Sequence, residues 1–159
     1  MRCTGVSKTL QKRSAYLGGS SRRGRALATS SPTLPYAAGF DTTTYAPVIQ
    51  RFNGTTWSAA TLTKKAKHPD QLEGLTMHGR SAWTVGIHNG SEPEILHTAG
   101  GVWTVEQTLK SGDTLSAISA ASRKHAYAAG SYLNKTDMAR RTHLEYFNGH
   151  SWKAEPSKV

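Results

Sequence analysis

The chain has 159 residues, with 20 Lys+Arg against 10 Asp+Glu and a formal net charge of +10. No stretch approaches the roughly 18 consecutive apolar residues of a membrane-spanning helix, and the one cysteine, Cys3, excludes a disulfide framework within the chain and any Cys-based zinc site. The charge is uneven: residues 1–26 carry seven basic side chains and no acid, a net of +7, whereas residues 27–159 hold 13 basic and 10 acidic, a net of only +3.

Residues 1–26 read as a basic leader without folded structure. They have the positive charge of a secretory leader but lack the apolar run that must follow it, so no signal peptide is read here. Ala15-Tyr16-Leu17-Gly18-Gly19 parallels Ala126-Tyr127-Ala128-Ala129-Gly130, which leaves a degenerate remnant of the downstream unit as the second reading of this segment.

From residue 27 onward the predicted elements are short strands. Tyr36-Ala37-Ala38-Gly39 is followed by Val48–Phe52, a turn at Asn53-Gly54, and Trp57-Ser58-Ala59. The next group is Leu75-Thr76-Met77, Trp83-Thr84-Val85-Gly86, Glu94–His97, a turn at Gly100-Gly101, and Trp103–Glu106. The last is Leu115–Ile118, Tyr127–Gly130, His143–Phe147, a turn at Asn148-Gly149, and Trp152-Lys153-Ala154. A short strand, an Asn-Gly turn and a second strand is a strong hairpin signal, because Gly takes positive φ without a Cβ clash. No window has the 3.6-residue periodicity of an amphipathic helix. Leu, Ile, Val and Phe number only 25 of 159, yet Ala, Gly, Tyr and Trp recur with a fixed period, and that decides against wholesale disorder.

The period is that of a repeat. Trp57, Trp103 and Trp152 close three copies of Gly-x-x-Trp, 46 and 49 residues apart, and Gly39, Gly86 and Gly130 close the upstream anchor, 47 and 44 apart. Four short strands every ~45 residues is the arithmetic of a propeller blade. The expected fold is therefore all-β, with about three four-stranded propeller-like blades over residues 27–61, 72–108 and 115–156. Three blades fall short of the roughly four to eight of a closed ring, so an incomplete or open β-propeller is expected, completed by self-association or by further blades.

These motifs, Leu144-Glu145-Tyr146-Phe147-Asn148-Gly149-His150-Ser151-Trp152 above all, resemble the β-propeller repeats of bacterial, chiefly actinobacterial, extracellular proteins related to the kelch, galactose-oxidase-like and Asp-box groups. The resemblance covers residues 27–159 and implies an extracellular or cell-surface setting. It is specific for the blade and for no activity, since propellers host unrelated functions.

The chemistry that the catalytic relatives would require is missing. The galactose-oxidase type uses a copper site with a Tyr–Cys cross-link, and here the one cysteine lies in the leader. The sialidase type uses an arginine cluster and Asp-box turns, where this chain has Phe-Asn-Gly and Ala-Gly-Gly. The tryptophans repeat in register, which favours packing between blades over a row of sugar-stacking platforms. Seven histidines, at 68, 78, 88, 97, 125, 143 and 150, show no metal-ligand spacing and read as solvated or hydrogen-bonding groups. Glu92 and Glu94, flanking Pro93 in a predicted loop, are the nearest approach to a glycosidase carboxylate pair.

The expected function is a non-catalytic propeller segment that presents loops, Ile87–Glu94 and Ser131–Arg141, to a protein or glycan, with Asn89, Glu92, Glu94, Asn134 and Asp137 as candidate contacts. The alternative is a fragment of a secreted carbohydrate-active enzyme, sialidase- or galactose-oxidase-like, whose catalytic residues lie in other blades. No cofactor, no metal site and no catalytic residue is assigned. The basic leader without a recognisable nucleic-acid-binding domain does not point to nucleic acid.

Overall fold

A computed structural model describes residues 22–30, 35–64, 66 and 69–156. Its twelve strands form three four-stranded antiparallel sheets in simple up-and-down order. The first contains β1 (Arg22–Ala28), β2 (Tyr36–Asp41), β3 (Pro47–Phe52) and β4 (Trp57–Ala59). In the second are β5 (Pro69–His78), β6 (Ser81–His88), β7 (Glu92–Thr98) and β8 (Thr104–Thr108). The third holds β9 (Thr114–Ser122), β10 (His125–Asn134), β11 (Ala139–Phe147) and β12 (Trp152–Glu155). The all-β, blade-like architecture expected from the repeat is present, and the three sheets do not close into a ring.

Boundaries differ in particulars. β1 starts at Arg22 and crosses the border placed at residue 26, because a Gly-Arg-Ala-Leu segment can pair with β2 whatever its charge; residues 1–21 lie outside the described residues. Glu92, Pro93 and Glu94 belong to β7, paired with His88, Ile87 and Gly86, and are not a loop. Most of Ser131–Arg141 is likewise hairpin: Tyr132 pairs with Arg141, Leu133 with Arg140 and Asn134 with Ala139, leaving a turn of four residues, 135–138. Polar side chains hid that pairing, since backbone hydrogen bonds do not depend on apolar alternation.

The Phe-Asn-Gly-x-x-Trp motif is a turn with a side-chain cap. Asn53 Oδ1 accepts hydrogen bonds from Thr55 N and Thr56 N at 2.9 and 2.8 Å, and Asn148 Oδ1 accepts from His150 N and Ser151 N, both at 3.0 Å. Gly54 and Gly149 follow at φ of 99° and 94°. In the second sheet Ala99 replaces the Asn, and the Thr98 hydroxyl takes over by accepting from Gly101 N at 3.0 Å. Removing one such cap, Asn148→Ala, is expected to cost about 1 kcal/mol, read as a lower urea midpoint with an unchanged m-value.

Strand alternation gives each sheet one face toward the preceding sheet and one toward the following sheet. Between the first two sheets, Tyr36, Ala38 and Ile49 pack with Leu72, Leu75, Leu96 and Trp103, and the Trp103 ring meets Tyr36 edge-on at 5.5 Å. After β4 the chain crosses to the second sheet and pins this tryptophan: Trp103 N donates to Thr61 O at 2.8 Å, and Thr63 N donates to Trp103 O at 3.0 Å. Between the second and third sheets, Trp83, Val85 and Ile95 pack with Leu115, Ala126, Ala128, Phe147 and Trp152. The aromatic of the Tyr/Trp-x-x-Gly anchor thus lies under the sheet that follows it, and the Gly-x-x-Trp side chain reaches back to the sheet before it.

Candidate functional site

A cleft of about 660 Å³ opens where the end of β8 and the 109–113 connection face β10, β11 and the end of β12. Leu109 N donates to Pro93 O at 2.8 Å and Gly112 N to Ser91 O at 3.0 Å, which ties the connection to the β6–β7 turn. Polar groups converge on the cleft from separate elements: Lys110 and Asp113 from the connection, Tyr132 from β10, His143 and Glu145 from β11.

His143 and Glu145 share a face because they are two apart on a strand. His143 Nε2 lies 2.8 Å from Glu145 Oε1 and His143 Nδ1 lies 3.4 Å from Asp113 Oδ2, so each ring nitrogen has a carboxylate beside it. The Tyr132 ring meets the imidazole edge-on at 6.1 Å, which completes its positioning. Behind it, Thr114 Oγ1 accepts from Ser131 N at 3.0 Å and Arg140 Nε donates to Ser131 Oγ at 3.0 Å, holding the base of the β9–β10–β11 junction.

Glu145 is only 3% exposed, and its Oε2 is buried with no hydrogen-bond partner among the described residues. A buried acceptor left unsatisfied costs about 1–3 kcal/mol, more for a charged group. Glu145 lines the cleft, and a donor that binds there and reaches this oxygen would satisfy it. Among the described residues no group of three or more His, Cys, Asp or Glu side chains could hold a metal ion. Among the described residues no helix is long and apolar enough to cross a membrane.

No protein-family model and no curated protein matches the sequence. The site is therefore read from its own residues.

None of the five residues singled out from sequence lines this cleft. Asn89 sits in the β6–β7 turn at φ 50°, its Nδ2 3.0 Å from His88 Nε2. Glu92 opens β7, and Glu94 is buried, accepting from Thr108 Oγ1 at 3.2 Å. Asn134 ends β10 and Asp137 lies in the turn that follows; Asn134 Oδ1 accepts from Thr136 N at 2.9 Å and Asp137 is ion-paired with Arg141. The Arg141 hydrogen bond, helped by Ala139 N, holds the Asp137 carboxyl below its ordinary range. The anchors Gly39, Gly86 and Gly130 occupy central strands, while Trp57, Trp103 and Trp152 stand at the start of each outer strand or just before it. A second cavity of about 390 Å³, among Tyr45, Gln71, Ile87 and Gly90, has no ionised group among the described residues of its wall.

Asp113, Tyr132 and Glu145 were not singled out by sequence reasoning, and His143 was grouped with six other histidines. One local signal existed: His143-Leu144-Glu145 on a predicted strand places both polar side chains on one face. Asp113, thirty residues earlier, joins them only through packing of one sheet on the next.

Proposed function

We propose that the chain is a non-catalytic β-propeller segment that binds a hydroxyl-rich ligand, a glycan, in the cleft around His143 and Glu145. The observation that carries the reading is Glu145, a carboxylate of the cleft lining whose Oε2 is buried without a donor among the described residues. A sugar hydroxyl supplies that donor and brings an acceptor for Lys110. The Tyr132 ring offers an apolar surface beside the polar set, the mixture that small-ligand sites use. Blade-like sheets and the propeller-type motifs support the scaffold half of the proposal. The protein-ligand reading attached to the Asn89 and Asp137 turns draws less support, because their polar groups are occupied by local bonds.

A second reading, a piece of a carbohydrate-active enzyme, is favoured by one feature: two carboxylates, Asp113 and Glu145, on a common imidazole. Both readings are separated by one experiment. The full chain is screened on a glycan array, and the best saccharide is titrated calorimetrically against wild type and Glu145→Gln. Saturable binding that weakens about 10-fold or more in the variant is expected, the loss of one charge-assisted hydrogen bond. Prolonged incubation should release no new reducing ends. Unchanged affinity in Glu145→Gln removes the cleft from the reading, and new reducing ends replace a binding module by a hydrolase.

A further inference from the structure

The third sheet repeats a face that is covered in both earlier sheets. Tyr36, Trp83 and Tyr127 are equivalent anchor aromatics, and they are 3%, 0% and 50% exposed. Each carries a stacking partner from the adjacent strand: Arg51 lies over Tyr36, His97 stacks on Trp83 at 4.8 Å, and Tyr146 lies against Tyr127 at 4.8 Å. The innermost strand is small on this face in all three sheets, with Ala26 and Ala28 in the first, Gly74 and Thr76 in the second, and Ala117 and Ser119 in the third. Small residues there let a following sheet approach closely, as Ser116 and Ala117 approach Gly74.

The first sheet carries the matching half. Phe52 and Trp57 have ring centroids 5.3 Å apart, the same separation as Phe147 and Trp152, the pair that covers Trp83. On the same face Leu27 is 40% exposed, whereas its counterpart Leu75 is buried between sheets. The polar groups match too. Glu106, three residues after Trp103, accepts the Nε1–H of Trp152 from the following sheet at 2.8 Å. Glu155, three residues after Trp152, stands at the equivalent position of the third sheet and is exposed.

We infer that the Tyr127 face of the third sheet binds the Leu27–Trp57 face of the first sheet of a second copy. The contact is head-to-tail, and made twice it closes a two-fold ring. Two copies supply six sheets, within the roughly four to eight of closed propellers.

Sedimentation of the full chain tests this, with Tyr127→Lys and Leu27→Glu as variants at exposed positions and thermal melts to verify that each is folded. Wild type is expected to sediment at twice the chain mass of 17.2 kDa at tens of micromolar. Either substitution is expected to raise the dimer dissociation constant about 30-fold or more, as loss of an interface anchor does. An equimolar mixture of the two variants should recover dimer, since one intact interface remains and the second pairs Lys with Glu. A monomeric or filamentous wild type overturns the proposal. So does a loss confined to Tyr127→Lys, because a contact using the same patch twice would ignore Leu27.

Discussion

Replacing Gly130 by alanine is expected to cost about 3 kcal/mol or more, while Gly101→Ala is expected to stay within about 0.5 kcal/mol of wild type. A Cβ on Gly130 would lie 1.8 Å from Thr114 O and 2.5 Å from its carbonyl carbon. The same collision recurs at each anchor, 1.9 Å from Arg23 O at Gly39 and 2.4 Å from Gln71 O at Gly86. The cause is a register irregularity in every inner strand: the pairing shifts between Gly24 and Ala26, between Leu72 and Gly74, and opposite Ala129 and Gly130. A bulge of this kind bends the strand and turns a carbonyl toward its neighbour, so only a residue without Cβ fits opposite. The obstacle is backbone, which cannot rotate away as a side chain can. Relieving it would displace β9, whose Ala120 N donates across the sheet interface to Thr76 Oγ1 at 3.1 Å. Gly101 has nothing within 4 Å of its would-be Cβ. Urea unfolding followed by tryptophan fluorescence distinguishes the two, and against a total of about 5–15 kcal/mol the Gly130 loss is large. Equal midpoints for both variants would show that close approach is not what the repeat glycine provides.

That glycine marks the border of what the sequence displays. Turn chemistry is local, and the Asn-Gly pairs at 53–54 and 148–149 announce it directly. The repeat supplied the strand count because equivalent residues recur at one spacing, and the exchange of Ala99 for Asn was covered by Thr98 next to it. Strand lengths were less visible: Thr142 to Ala139 pair fully with Ser131 to Asn134 although Ser131, Asn134, Arg140, Arg141 and Thr142 are polar or charged. Sheet stacking was least visible of all. Asp113 and His143 approach only because the connection leaving β8 is bonded to Ser91 and Pro93, contacts that no spacing along the chain encodes. Glu92 and Glu94 stand as an acidic pair in the sequence, yet burial and the Thr108 hydroxyl tie Glu94 into the sheet.

Glu106→Ala is expected to loosen the second and third sheets from one another by about 2–4 kcal/mol, with Glu106→Gln losing less than half of that. Glu106 Oε2 accepts from Trp83 Nε1 at 3.2 Å and Trp152 Nε1 at 2.8 Å, so one carboxylate bridges two indoles that belong to different sheets. Alanine leaves two buried indole N–H groups without an acceptor, and each carries a desolvation penalty; glutamine keeps a carbonyl oxygen in place. The interface between the first two sheets has no such bridge, since Ala60 stands three residues after Trp57, and Trp103 Nε1 is buried with no partner among the described residues. The carboxylate also acts on His97, whose Nδ1 lies 3.4 Å from Glu106 Oε1 and whose ring stacks on Trp83. Burial pushes the His97 pKa below its ordinary 6.5, and Glu106 opposes that shift. A histidine with a depressed folded pKa binds fewer protons than the unfolded chain does, so stability is full above about 6.5 and declines as pH falls below it. Without Glu106 the opposing attraction is gone, the folded pKa drops further, and more stability is lost in the same window. The deficit of Glu106→Ala relative to wild type, measured by urea titration, should therefore grow from pH 7.5 to pH 5.5, while His97→Gln flattens the dependence in both backgrounds. A deficit that stays constant with pH would leave the indole bonds intact as the explanation and remove His97 from it.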